Sequence, residues 1–211
     1  MNVVRKILAI DGKNAEHAAH DSGSPLMMSE GGVDAIEILY TIRKRVPEDD
    51  SAEAVATVAE QIDRKRYALE MLDAKTIVCP AKRMQGCGFK QSDDQLLQIK
   101  TLSICMRLKP DFLTLVSGDD DHAPLVWELR EHGICTEVVA LEDMLGSQLR
   151  RACYAKIDLD QVFQKLQEEI AGIDARRLFD EDGQLSEFIG RILVVFLASW
   201  RNRSSWHLRR C

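Results

Sequence analysis

Aromatic side chains are scarce in this 211-residue chain, at 6% of positions, and no aromatic-interleaved base-stacking platform is visible. Sequence-specific reading of nucleic-acid bases is therefore unsupported. Positive charge is also short: Lys and Arg number 28 against 34 Asp and Glu, a formal net charge of −6. Binding to a polyanion by bulk charge is excluded, and any such contact must be local. No apolar run reaches the roughly 18–20 residues needed to cross a bilayer. The N-terminal MNVVRKILAIDGKN meets a charged Asp too soon for a secretory apolar core, so a cytoplasmic protein without a membrane partner is expected. The cysteines, Cys79, Cys87, Cys105, Cys135, Cys153 and Cys211, form no Cys-x-x-Cys pair and share no matching histidine spacing. That argues against a zinc site and a disulfide framework, and for buried thiols acting as small hydrophobes. His17 and His20 lie three apart but have no third placed ligand, and they read as surface residues.

What the chain does contain is an alternation of short apolar runs and amphipathic stretches. Val3 to Ile10 predicts a buried strand ending at Asp11-Gly12, followed by a short helical turn and a loop through residue 32. From Val33 the spacing of Ile36, Leu39, Tyr40 and Ile42 predicts a helix stopped near Pro47, and Ser51 to Leu72 predicts a second. Lys75 to Pro80 reads as a strand, the glycine-containing MQGCGFKQS as a connection, and Asp94 to Leu108 as a helix. Phe112 to Val116 is a further strand running into Ser117-Gly118-Asp119-Asp120-Asp121. A helix from Pro124 to His132, a Gly133 stop, a strand from Cys135 to Ala140 and a helix from Ser147 to Ala155 complete the pattern. Such alternation predicts an α/β fold with a mostly parallel sheet, helices on both faces, and ligands outside the carboxyl ends of the strands. Residues 1–157 are assigned to this domain and 158–211 to a helical C-terminal extension, with an amphipathic helix from Asp160 to Ile173. The apolar run from Phe188 to Trp200 is interrupted by Arg191 and too short to span a membrane. It reads as a core-closing or homodimer-contact helix.

Asp11, Asp93, Asp119 and Asp121 each follow a predicted strand or precede a predicted helix. In a parallel sheet the ends of those strands can converge, and crowded carboxylates repel until a divalent cation relieves them. Hard oxygen donors suit Mg2+ or Mn2+, and the chemistry such an ion supports at phosphate is phosphodiester hydrolysis. Taken singly, each aspartate also fits a turn or a helix N-cap. Of the basic clusters, Lys82-Arg83 and Arg150-Arg151 lie near strand ends, where they could line an RNA path. Lys90 is a candidate phosphate contact, whereas Arg43-Lys44-Arg45 and Arg64-Lys65-Arg66 read as solvated faces.

The segments Ile10-Asp11-Gly12-Lys13-Asn14, Lys90-Gln91-Ser92-Asp93 and LVSGDDDHAPLVWELREHGICTEVVA (Leu115 to Ala140), with Ser147-Gln148-Leu149 and Arg150-Arg151-Ala152, resemble the NYN domain family of PIN-like ribonucleases. The resemblance covers most of residues 3 to 160, and Ser117-Gly118-Asp119-x-Asp121 is its most specific part. It implies a Rossmann-like three-layer α/β/α sandwich and a metal-dependent endoribonuclease leaving 5′-phosphate and 3′-hydroxyl ends. Asp11, Asp93, Asp119 and Asp121 match the family's metal-binding acids, with Asn14 and Ser117 as the residues that orient water or a ligand. Gly118 matches a bottleneck where a side chain would crowd metal or phosphate. Three departures stand out: Ile99 and Tyr154 occupy positions where family members carry acids, and His122 one where they carry an aromatic. The first two support an alternative, a weak or inactive module that binds RNA or a protein partner. A phosphatase with Asp11 as nucleophile would call for Asp-x-Asp, and Lys13 stands at that third position.

Overall fold

In the computed structural model the described residues are 4–15, 35–43, 51–71, 73–83, 89–162 and 164. His17 and His20, the loop to residue 32, most of the helix from Asp160 and the run from Phe188 to Trp200 lie outside them.

Strand β1 (Lys6–Ile10) carries apolar residues on both sides of the pleat, and all five positions are buried. It is accordingly central, flanked by β2 (Ala35–Arg43) and by β6 (Phe112–Val116), parallel to both. β3 (Ala74–Cys79) extends the sheet beyond β2, and β7 (Cys135–Ala140) and β8 (Ala155–Asp158) extend it beyond β6. The order β3-β2-β1-β6-β7-β8 is parallel throughout. The chain thus winds outward in one direction from β1 and then returns to start again on its other side. A short antiparallel pair, β4 (Ala81–Arg83) and β5 (Phe89–Gln91), stands apart as its own ribbon.

Helices cover both faces. Alternate residues of β1 enter different cores: Leu8 and Ile10 join Tyr40, Ala15 of α1 (described over residues 12–15), Leu69 of α2 (Ala52–Glu70), Leu159 and Val162. Ile7 and Ala9 join Leu97 and Cys105 of α3 (Asp93–Leu108), Leu125 and Leu129 of α4 (Ala123–Glu131), and Leu149 of α5 (Ser147–Ala152). Each fully buried Leu or Ile contributes roughly 1.5–3 kcal/mol by leaving water. Ser51 caps α2, accepting the Ala54 amide at 3.2 Å, and Gly133 ends α4 at a φ of 76°. The α/β sandwich expected from the alternation of elements is therefore present.

Three expectations are corrected. The segment around Ile36–Ile42 is strand β2, because residues 38–42 are all buried between two neighbouring strands and two helical layers. The helix ending the domain stops at Ala152, and the chain re-enters the sheet as β8. Cys135 is disulfide-bonded, while Cys79, Cys105 and Cys153 are free thiols as expected. Among the described residues no helix is long and apolar enough to cross a membrane.

Candidate metal centre

In a parallel sheet every strand-to-helix junction falls at the carboxyl end, and the point where winding reverses, between β1 and β6, opens a crevice there. Ile10 pairs with Val116, and the Asp11 amide donates to the Val116 carbonyl at 3.1 Å, so Asp11 and Ser117 leave the sheet side by side. The Ser117 hydroxyl donates to Asp11 Oδ2 at 3.2 Å, and Asp11 Oδ1 accepts the Lys13 and Asn14 amides at 3.2 and 3.3 Å. Asp11 is buried, 2% exposed. Burial pushes its carboxyl up, but His122, the Asn14 amide and the Ser117 hydroxyl outweigh burial and hold it below the ordinary carboxylate value.

The second acid comes from the start of α3, where the structure separates two neighbours. Asp93 lies on the buried stripe with Leu97, Thr101 and Cys105, and one of its oxygens meets both Nε and Nη2 of Arg43 at 3.2 Å. Asp94, one position on, turns toward Asp11 and the acids after β6. Burial and the charges of Asp93, Asp11 and Asp119 push its carboxyl up, with His122 opposing. One turn further, Gln98 Nε2 donates to the Asp121 carbonyl at 2.9 Å and fixes α3 against that segment.

The third group follows β6. Asp119 caps a 3-10 turn (Asp120–His122), its Oδ1 accepting the Asp121 amide at 3.0 Å. Asp120 points elsewhere and accepts the Leu149 amide at the start of α5, at 2.8 Å. Two sets of donor atoms come within 4.8 Å of one another: Asp94, Asp119 and Asp121; and Asp11, Asp94 and His122. Asp94 is common to both. Of the expected acids, Asp11, Asp119 and Asp121 therefore enter these groups and Asp93 does not. The phase of α3 carried the signal, since the acid in step with Leu97 must face the sheet.

The other expected residues fall as follows. Asn14 Oδ1 accepts the Gly118 amide at 3.2 Å, tying α1 to the loop after β6, and Ser117 holds Asp11. Gly118 is required by backbone rather than by an ion, since a Cβ there would lie 2.4 Å from the Met144 carbonyl oxygen. Arg150 bonds Glu142 Oε1 at 2.6 Å, and Arg151 is exposed on the same short helix. Lys90 stands in β5 opposite Lys82, and their side chains lie outside the description. Ile99 is 63% exposed, off the face that carries Asp94 and Gln98. Tyr154 packs edge-on against Phe112 at the amino end of β6, the end of the sheet opposite the acids.

The donor chemistry fits a divalent cation. Several carboxylates converge, Asp94 is held above its ordinary value by burial and by its neighbours, and the thiol of Cys79 is pushed up to about 12 by burial, Asp93, Asp94 and Asp11. A site that disfavours additional negative charge in this way is one that a dication stabilises.

No curated protein matches the chain. Among solved structures it is similar to a protein of unknown function, VPA0982, from Vibrio parahaemolyticus. The TM-score is 0.57 at 13% identity, over 75% of this chain and 95% of that one. That likeness concerns the fold, an α/β sandwich. The NYN domain model matches residues 6–169, a span running from β1 past β8, with the acid-bearing junctions inside it, and the chain accordingly belongs to the NYN domain family.

Proposed function

We propose that the protein is a divalent-metal-dependent endoribonuclease of the cytoplasm that hydrolyses RNA phosphodiester bonds. The observation that carries this reading is the convergence of acids from three separate strand-to-helix junctions at the winding-reversal point of an NYN fold. Asp94, Asp119 and Asp121, with Asp11 beside them, would hold Mg2+ or Mn2+. When bound, such an ion supplies a more acidic water and stabilises charge on a phosphoryl oxygen. The chain's own part is positioning. Ser117 and the Lys13 and Asn14 amides fix both oxygens of Asp11, Asn14 and Gln98 lock the flanking loop and turn, and Asp119 braces the turn that carries Asp121. The alternative of an inactive binding module drew on Ile99 and Tyr154, and neither side chain lies among the clustered acids.

The test is incubation of the full chain with single-stranded RNA in Mn2+, Mg2+ or EDTA. Cleavage is expected with the cations and absent in EDTA, and Asp119→Asn should reduce it by about 100-fold or more while the protein stays folded. RNA retained without product in either cation, or undiminished cleavage by the variant, would overturn the assignment.

A further inference from the structure

His122 is unexplained by a site made of carboxylates alone. Its side chain is fully buried at 0% exposure, and neither Nδ1 nor Nε2 makes a hydrogen bond. Burial with no hydrogen bond is costly for an imidazole, and the ring's ion-pair neighbour is the Asp11 carboxylate, so its place inside an acidic cluster needs a reason. Nε2 lies 3.7 Å from Asp11 Oδ2, beyond hydrogen-bond reach. It is, however, the separation of two donors that share an ion: at about 2.1 Å from one centre, two ligand atoms stand roughly 3–4.2 Å apart. Asp94 completes the group within 4.8 Å.

We propose that Asp11, Asp94 and His122 form a second, nitrogen-containing cation position, sharing Asp94 with the all-oxygen group of Asp119 and Asp121, and that it favours a transition-metal dication such as Mn2+ over Mg2+. This rests on the reading of the cluster as a metal centre and adds to it a ligand and a selectivity. Mg2+ is satisfied by oxygen and water, whereas imidazole nitrogen strengthens binding along the first-row series. The rest of the surroundings agree with that assignment. Asp11 Oδ1 is occupied by backbone amides and Oδ2 by one hydroxyl, which leaves lone-pair capacity on the oxygen nearest His122. The 3-10 turn that places His122 is braced at Asp121, whose amide donates to the Asp119 cap and whose carbonyl accepts from Gln98.

The experiment loads metal-stripped full-length protein with Mn2+ alone and reads imidazole 14N coupling to the bound ion by pulsed electron paramagnetic resonance. Mn2+ and Mg2+ affinities are measured in parallel. The wild type should show the nitrogen coupling. His122→Phe should lose it and weaken Mn2+ at that position by about tenfold or more, with Mg2+ affinity changed by less than about twofold. His122→Gln, which keeps a polar group in the buried position, serves if the Phe variant does not fold, with the same loss expected. Asp119→Asn should retain the coupling, because its group is the other one. Nitrogen-free Mn2+ in the wild type, or coupling that survives both His122 substitutions, would overturn the proposal and leave His122 a structural residue. Nitrogen-coupled Mn2+ without RNA cleavage would defeat the nuclease reading and keep this site; cleavage with oxygen-only Mn2+ would do the reverse. Absence of any bound Mn2+ would overturn both.

Discussion

Two adjacent aspartates at the start of α3 have opposite roles, and the difference follows from helix phase. Asp93 is buried and spends its charge on Arg43, while Asp94 stands among like charges. Asp93→Asn should therefore destabilise the fold by about 1–3 kcal/mol, because Arg43 loses its buried counter-charge, and should leave Mn2+ binding in place. In metal-free buffer at neutral pH, Asp94→Asn should give an unchanged or slightly raised denaturation midpoint. The sign follows from its raised carboxyl value: folding disfavours the ionised form, so removing the charge removes a penalty. The same substitution should abolish Mn2+ binding and RNA cleavage. Denaturant titration beside a binding isotherm checks both; loss of binding by the Asp93 variant with binding kept by the Asp94 variant would assign the wrong acid. The sequence places an acid before this helix, and the apolar period of Leu97, Thr101 and Cys105 already shows which of the two faces the sheet. What it does not show is Arg43, which comes from a strand that reads as a helix. Without that partner in view, nothing distinguishes a buried ion pair from a ligand.

At the scale of elements, legibility depends on how much polarity contrast an element retains. β1, β3, β6 and β7 are short apolar runs bounded by turn residues, and each is readable. β2 is buried on both faces over residues 38–42, so the period-2 alternation that marks a half-buried strand is absent. Chance spacing of its apolar residues imitates a helical stripe. β8 is only four residues long, at the sheet's edge, and its identity comes from pairing with β7. It is further joined to α5 through Glu142, which accepts from Lys156 of β8 at 2.9 and 2.8 Å and from Arg150 of α5 at 2.6 Å. The Lys156 and Arg150 hydrogen bonds hold the Glu142 carboxyl below its ordinary value. A depressed carboxyl contributes stability that is complete above its unfolded value and lost as pH falls through the folded one. Glu142→Gln should thus lower the melting temperature slightly at pH 7, an effect kept small by exposure to solvent. The gap from wild type should close on acidification below about pH 4. A gap unchanged between pH 7 and pH 3 would show that the cluster is not what couples α5 to β8.

For the whole molecule, topology does what no local motif could. The acids lie at positions 11, 94, 119 and 121, and they meet only because β1 and β6 are neighbours at the reversal of winding, with α3 starting beside them. The fold class survives the misreading of β2 because the remaining strands and helices still alternate, and the site survives because junction acids gather at one end of any parallel sheet. An unfolded chain cannot present this donor set, so a cation that binds it binds the native state alone and shifts unfolding by mass action. With Mn2+ at about a hundred times its dissociation constant the gain is about 2.7 kcal/mol. For a domain of this size that corresponds to a melting-temperature rise of roughly 5–10 °C. The rise should be reversed by EDTA, kept by Asp93→Asn and lost by Asp94→Asn, whose side chain belongs to both donor groups. Calorimetry on the wild type and the two variants, with and without Mn2+, decides the matter. A rise that persists in Asp94→Asn would place the ion elsewhere on the surface and detach the cluster from metal binding.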